Sequence, residues 1–341
     1  MKNSVDLTLS CKEDDLAEIF SFTAEKSIAG LTNLETFIGH AFNLTLQRDG
    51  FFGAWAKVWQ KDGTYNLKLS SPHHDLSAYE TKVPDFISAA QKALEIKRDK
   101  QSMIDSVIKS TGKEMRFILP FGTAMANTRS VQFLHFPPIE TYDYTDYLFS
   151  PTNRRWENLL GYNGVHDTNF SVLESVVDCV PLGAPGGDAD GINPFNDTFT
   201  DYVKVMLQAR LRTYKKTTVP LVAHGSPVHD WLKKNYSDQI DGYFDTLKIA
   251  EIHFFDDDTK TPVLAANHPS EYLYYADKPY SEAKEKLLTQ DLISAGWQAR
   301  MSKHPNDCPF KVLESLTAYW TANPRLAEIM NQEDQAYNFN P

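Results

Sequence analysis

Three cysteines in 341 residues, Cys11, Cys179 and Cys308, are too few and too scattered for a disulfide framework. No apolar run reaches the roughly 20 residues that span a bilayer. The opening stretch, Met1–Asp6, leads into acidic sequence instead of an apolar signal core. A cytoplasmic protein with no membrane partner is the expectation. Basic residues are in deficit, 34 Lys and Arg against 45 Asp and Glu. The resulting net charge of -11 excludes a protein that coats nucleic acid by bulk charge. Internal repeats and low-complexity segments are missing, which excludes solenoids and fibres. What remains is 42% hydrophobic and 23% charged, ordinary globular values for two domains or one large domain with additions.

Residues 1–110 read as an N-terminal α+β accessory domain. Leu16, Ile19 and Phe20 recur at helical spacing, as do Leu31, Leu34, Phe37 and Ile38. Phe51–Trp59 and Thr64–Leu69 flank Lys61-Asp62-Gly63, a hairpin signal because Asp-Gly tolerates positive φ. A helix near Val83–Lys109, opened after Pro84, is expected to stop at Thr111-Gly112. Two basic stretches, Lys92 to Arg116 and Arg210 to Lys216, are local rims or solvated helix faces.

From Met115 the texture becomes α/β. Short apolar runs at Met115–Leu119, Val176–Leu182, Thr218–Ala223 and Thr261–Ala266 alternate with helical patterns. This predicts a three-layer α/β/α fold around a mostly parallel four-stranded sheet over residues 111–302, with 303–341 a helical extension and tail. Ligands of such sheets sit beyond the carboxyl ends of the strands. Those ends carry Phe121-Gly122-Thr123-Ala124-Met125-Ala126-Asn127, Gly183-Ala184-Pro185-Gly186-Gly187, His224-Gly225-Ser226-Pro227 and Asn267-His268-Pro269-Ser270.

The succession of Pro151-Thr152-Asn153, Leu173-Glu174-Ser175, Phe199-Thr200-Asp201, Ala223-His224-Gly225-Ser226 and His268-Pro269-Ser270 resembles the uracil-DNA glycosylase superfamily over about residues 115–300. The His-Pro-Ser loop is the most specific match. The resemblance implies a monofunctional DNA glycosylase that flips a base and leaves an abasic site, with DNA as partner and no cofactor or metal. It implies that His268 stabilises the leaving base and that Asn127 positions water. The departures are equally concrete. The family's Gly-Gln-Asp-Pro-Tyr-His motif is absent, so no Asp stands in that loop. The tyrosine that blocks pyrimidine C5 gives way to Met125 or Ala126.

Asp178 lies where a base-reading Asn is expected, and an ionised carboxylate only accepts hydrogen bonds, which suits the cytosine amine. An open C5 side and this acceptor point to a 5-substituted cytosine, such as the hydroxymethyl or glucosylated bases of phage DNA. Uracil repair is the simpler alternative. Phe133 or Phe136 is placed to stack on the base, or to sit in the core. Tyr272 or Leu273 takes the wedge position, and Ser270, Arg129, Ser226 and Gly186 are candidate DNA contacts.

Other classes carry less. Asp256-Asp257-Asp258 lacks a calcium-loop pattern, and His73-His74-Asp75 and His253 lack thiolate company for zinc. A serine hydrolase using Ser226 with His224, His229 or His268 lacks the Gly-x-Ser-x-Gly elbow. A non-catalytic DNA- or protein-binding relative is favoured by the missing motif Asp.

Overall fold

The structure is a computed structural model that describes residues 1–22, 33–119, 122–137, 151–160, 174–184, 189–212, 217–240, 247–273 and 281–324. In chain order the first half contains β1 (Ser4–Leu9), α1 (Glu13–Ile19), α2 (Leu34–Arg48), β2 (Trp55–Lys61), β3 (Thr64–Ser70), α3 (Tyr79–Asp99), α4 (Gln101–Thr111), β4 (Arg116–Phe117) and β5 (Ser130–Leu134). There follow α5 (Pro151–Leu160), β6 (Glu174–Asp178), β7 (Leu182–Gly183), α6 (Ala189–Ile192), α7 (Thr200–Leu211), β8 (Leu221–His224) and α8 (Ser226–Asn235). The last are β9 (Ile249–Ile252), β10 (Thr261–Ala266), α9 (Pro269–Leu273), α10 (Glu282–Lys303) and α11 (Pro309–Ala322). The chain is α/β with a mostly parallel five-stranded central sheet. No helix among the described residues is long and apolar enough to cross a membrane.

Compactness divides the chain differently from the sequence boundaries at 110 and 302. One unit is Met1–Thr128 with Phe136–Tyr147 and Val172–Lys216; the other is Arg129–His135 with Leu148–Ser171 and Thr217–Pro341. The N-terminal segment therefore shares its unit with two later stretches, Phe136–Tyr147 and Val172–Lys216.

In the first unit, β1, β3 and β2 form an antiparallel sheet with Leu7 opposite Leu67 and Val58 opposite Leu67. Tyr65, Leu67 and Leu69 alternate inward along β3. The expected hairpin forms, with Asp62 at φ 51 and Gly63 at φ 75, the left-handed pair that a tight turn needs. Helix α2 starts at Asn33, whose side chain accepts from the Thr36 N–H at 2.9 Å, and it buries Phe37, Ile38, Ala41, Phe42 and Leu46. The expected single helix after Pro84 is two helices. Pro84 lies inside α3, and Lys100 separates α3 from α4, which does end at Gly112 in the left-handed conformation. The run Met115–Leu119 is not a central strand: β4 pairs only with β7, antiparallel, with Phe117 opposite Leu182.

In the second unit β5, β8 and β10 run parallel, with Phe133 opposite Ala223 and Ala266 opposite His224. β9 adds antiparallel to β10. Two of these strands, Ser130–Leu134 and Ile249–Ile252, were not expected from the sequence. All five residues of β5 are buried despite Ser130 and Gln132. The core between sheet and helices includes Trp156, Leu264, Leu288, Leu292, Trp297 and Trp320. Within it the Trp156 indole donates to Gln298 Oε1 at 2.8 Å, and Gln298 Nε2 donates to Ser130 Oγ at 2.9 Å.

Candidate functional site

In the second unit, the carboxyl ends of β8 and β10 lie side by side because the strands pair in parallel register through His224 and Ala266. Gly225 then turns the chain with φ 83, donates its N–H to Ala266 O at 2.9 Å, and starts α8. A Cβ here would stand 3.4 Å from the His268 Cβ, and the positive φ disfavours any side chain. The turn itself, through its positive φ, is what calls for glycine in His224-Gly225-Ser226; the contact with His268 would be an ordinary one. After β10, Pro269 opens the one-turn helix α9, and the Glu271 N–H donates to His268 O at 2.9 Å.

The protonation of His268 follows from its neighbours. The Ser270 backbone N–H, an obligate donor, points at Nδ1 from 3.3 Å, and the Ser270 hydroxyl lies 2.5 Å from the same atom. Nδ1 is therefore an acceptor, and a neutral ring must carry its proton on Nε2. Desolvation, aided by the nearby His135, pushes the His268 imidazole down to about 4. His224 is the opposite tautomer. Its Nδ1–H donates to Asn267 O at 2.9 Å, which leaves a buried Nε2 lone pair with no hydrogen-bond partner among the described residues. Burial takes His224 down to about 3, against the pull of the Asn267 carbonyl and with the charges of His268 and His229 adding to the effect. His229 donates to Ala223 O at 2.9 Å and is likewise lowered, chiefly by desolvation.

The expected nitrogen-detected NMR result at pH 7 is a proton on Nε2 of His268 and on Nδ1 of His224. Neither ring should titrate near 6.5, and His268 should show its midpoint near 4. A His268 midpoint at the ordinary imidazole value would contradict this reading.

The His-Pro-Ser loop is fixed from below. Asn267 Nδ2 donates to Gln290 Oε1 at 2.9 Å, and Arg155 Nη1 donates to Pro269 O at 3.1 Å. Arg155 also pairs with Asp291 at 2.7 Å, each side chain 1% exposed. Its guanidinium stacks 4.1 Å over the Tyr272 ring. Burial raises Asp291 to about 6, although Arg155 pulls the other way.

In the first unit, the loop after β4 is organised by a residue that sequence reasoning missed. Asp49, the C-cap of α2, is fully buried. Its Oδ1 accepts from the backbone N–H of Met125 at 2.9 Å, Ala126 at 3.0 Å and Asn127 at 2.8 Å. Its Oδ2 accepts from Ala126 N–H at 3.0 Å and from the Tyr79 hydroxyl. Asn127 Nδ2 donates to the Asp49 carbonyl at 3.1 Å. On the loop's other side, Ala124 O accepts from Arg210 Nη1 at 2.9 Å and from the Ser175 hydroxyl, which also contacts Thr128 Oγ1 at 3.1 Å. Burial raises the Asp49 carboxyl and pushes Arg210 down to about 10. Nothing local marks Asp49: Asp49-Gly50 reads as a helix stop, and its partners lie 76 to 78 residues away.

The remaining candidates separate. Phe133 is fully buried in β5, edge-on to Trp231 at 5.3 Å, so it is a core aromatic and is not available to stack on a base. Phe136 is half-buried. Tyr272 is 4% exposed beneath Arg155, which rules it out as an exposed wedge. Met125 and Ala126 are buried, Ser270 is half-buried, and Arg129 and Ser226 are exposed. Among the described residues no histidine is hydrogen-bonded to Ser226, so no nucleophile–base pair is formed there. Asp178 is fully buried; desolvation raises the Cys179 thiol and the Tyr202 phenol, and the charge of Asp178 adds to both shifts. Gly186 and the Leu273 side chain lie outside the described residues.

Much of the first basic stretch is neutralised in place, Lys97 by Glu18, Arg98 by Asp15 and Glu18, and Arg116 by Glu114. No three His, Cys, Asp or Glu side chains converge as metal ligands among the described residues. No family model matches the chain, and no curated protein matches it.

Proposed function

We propose that the chain is a monofunctional DNA glycosylase acting on a flipped pyrimidine, with His268 as the group that stabilises the departing base. The observation that supports this most is the pinned, neutral imidazole at the end of a parallel strand, with its proton on the atom opposite its anchor. The C1′–N bond breaks with its electron pair staying on the base, water adds to C1′ to leave an abasic sugar, and the proton that water releases ends on the departed base. The Nε2–H donates to the anion as it forms, an interaction strongest in the transition state. A pre-set neutral donor needs no reorganisation at that moment, and a site that desolvates the imidazole strengthens its hydrogen bonds.

Asn127 would hold the attacking water through its Oδ1, since its Nδ2 is committed to Asp49. Lyase chemistry is not part of this reading. Lys82, pushed down to about 8 by burial, would be the chemically apt amine, but it donates to Ala209 O and Arg212 O at the end of α7.

The substrate we favour is a 5-substituted cytosine, hydroxymethylated or glucosylated as in phage DNA. That choice rests on sequence position, with Ala126 where a blocking tyrosine is expected and the acceptor Asp178 where a base-reading Asn is; both side chains are buried in the structure. Incubation with matched duplexes and single strands carrying uracil, cytosine, hydroxymethylcytosine or its glucosylated form, read by alkaline cleavage, tests it. Cleavage confined to modified cytosine is expected. Cleavage of uracil DNA alone would keep the chemistry and replace the substrate, and no cleavage at all would favour a binding protein.

A further inference from the structure

We infer that Asp49 is the positioning residue of the loop Gly122–Asn127, so that the N-terminal segment supplies a carboxylate on which that loop's working geometry depends. The inference rests on the glycosylase reading, in which Asn127 of this loop holds water. Three consecutive backbone N–H groups converge on one carboxylate, and a tyrosine hydroxyl completes its shell. Peptide N–H groups at 125, 126 and 127 can share an acceptor only if the loop curls around it, so the carboxylate dictates the curl. The other face of the loop is held through Ala124 O by Arg210 and Ser175. Asn127 is tied twice, by its own N–H and by Nδ2 to the Asp49 carbonyl, which orients its Oδ1.

A direct catalytic role for Asp49 is excluded by the same contacts. Both oxygens are occupied by donors and the residue is fully buried, so it cannot reach a water bound by substrate. Its action passes through the loop. Asparagine in its place keeps one acceptor oxygen for the three N–H groups but turns an NH2 towards the Ala126 N–H and the Tyr79 hydroxyl. The hydroxyl can rotate to accept, whereas the N–H cannot. Alanine leaves every donor without its partner.

The test uses the full chain as wild type, Asp49→Asn, Asp49→Ala, Asn127→Ala and the double variant Asp49→Asn with Asn127→Ala. Amide exchange is measured at Met125, Ala126 and Asn127, with the β3 strand Thr64–Ser70 as internal control. Steady-state kcat and KM are measured on whichever DNA the wild type cleaves. We expect exchange at the three loop amides to quicken about tenfold or more in Asp49→Asn while β3 is unchanged. kcat should fall about tenfold for Asn and about 10²-fold for Ala with little change in KM, as for a catalytic group displaced by about an ångström. In the Asn127→Ala background, Asp49→Asn should remove little further activity.

Unchanged loop protection, or a fully additive loss in the double variant, would overturn the inference. A wild type that cleaves no DNA would defeat the glycosylase reading on its own, and the exchange arm would still decide whether Asp49 positions the loop. Should Asp49→Ala fail to fold, Asp49→Asn and Tyr79→Phe carry the same comparison.

Discussion

Replacing His268 with alanine should lower the single-turnover excision rate about 10²- to 10³-fold, the usual cost of removing one pre-set donor to a developing anion, about 3–4 kcal/mol. The loss should fall on kcat and kcat/KM alike, because the donor matters little before the bond stretches. Folding should be spared, since the ring is half-buried and its loop is fixed mainly by Asn267, Pro269 and Arg155. Ser270→Ala is the graded companion. It removes the hydroxyl from Nδ1 but keeps the backbone N–H at 3.3 Å, so the tautomer survives and the rate should fall less. An unchanged rate in His268→Ala would remove His268 from the chemistry altogether. A loss accompanied by unfolding would instead make the residue structural, and circular dichroism on the same sample separates the two.

The parallel strands that deliver these loops were legible because strands buried on both faces are continuous apolar runs, and Leu221–Ala223 and Val263–Ala266 read that way. Their loop chemistry was legible too, since Gly225 and Pro269 are the kind of residues that sharp strand exits require. β5 was not, because Ser130 and Gln132 interrupt its pattern. The hydroxyl of Ser130 is satisfied by Gln298, distant by 168 residues, and no local rule announces such a partner. Met115–Leu119 looked more strand-like and proved to be a short pair with β7 instead. Phe133 and Tyr272 were candidates for the stacking and wedge positions by their place in the sequence, but burial against Trp231 and Arg155 overrides position in a motif. Asp49 was invisible for the plainest reason: a carboxylate at a helix end has many ordinary uses, and only the fold shows that it gathers three N–H groups from a loop 76 residues on.

Asp291→Ala should destabilise the second unit by about 3–5 kcal/mol, because it leaves the Arg155 guanidinium buried without its counter-charge. Urea unfolding followed by the fluorescence of the buried Trp156 and Trp297 is the measurement. Pairing Asp291→Leu with Arg155→Met should recover much of that loss, since an apolar pair of similar volume removes both desolvation costs. The recovered stability should not restore excision, because Arg155→Met also removes the donor to Pro269 O and with it one restraint on His268. Activity and stability should therefore part company in the double variant.

The pH dependence has a sign of its own. His224 and His268 are depressed to about 3 and about 4, so the stability linked to them is present above 6.5 and is lost as pH falls through those values. Asp291 is raised to about 6, so its contribution is greatest below 3.8 and is lost as pH rises through 6. Between pH 4 and 6 the two histidines outweigh the carboxyl in protons bound, and stability linked to these three groups should fall on acidification. Removing Asp291 takes away the opposing contribution, so the fall with acid should be steeper in Asp291→Ala than in wild type. A shallower fall would show that Asp291 is not raised, and that the pair with Arg155 holds it ionised throughout.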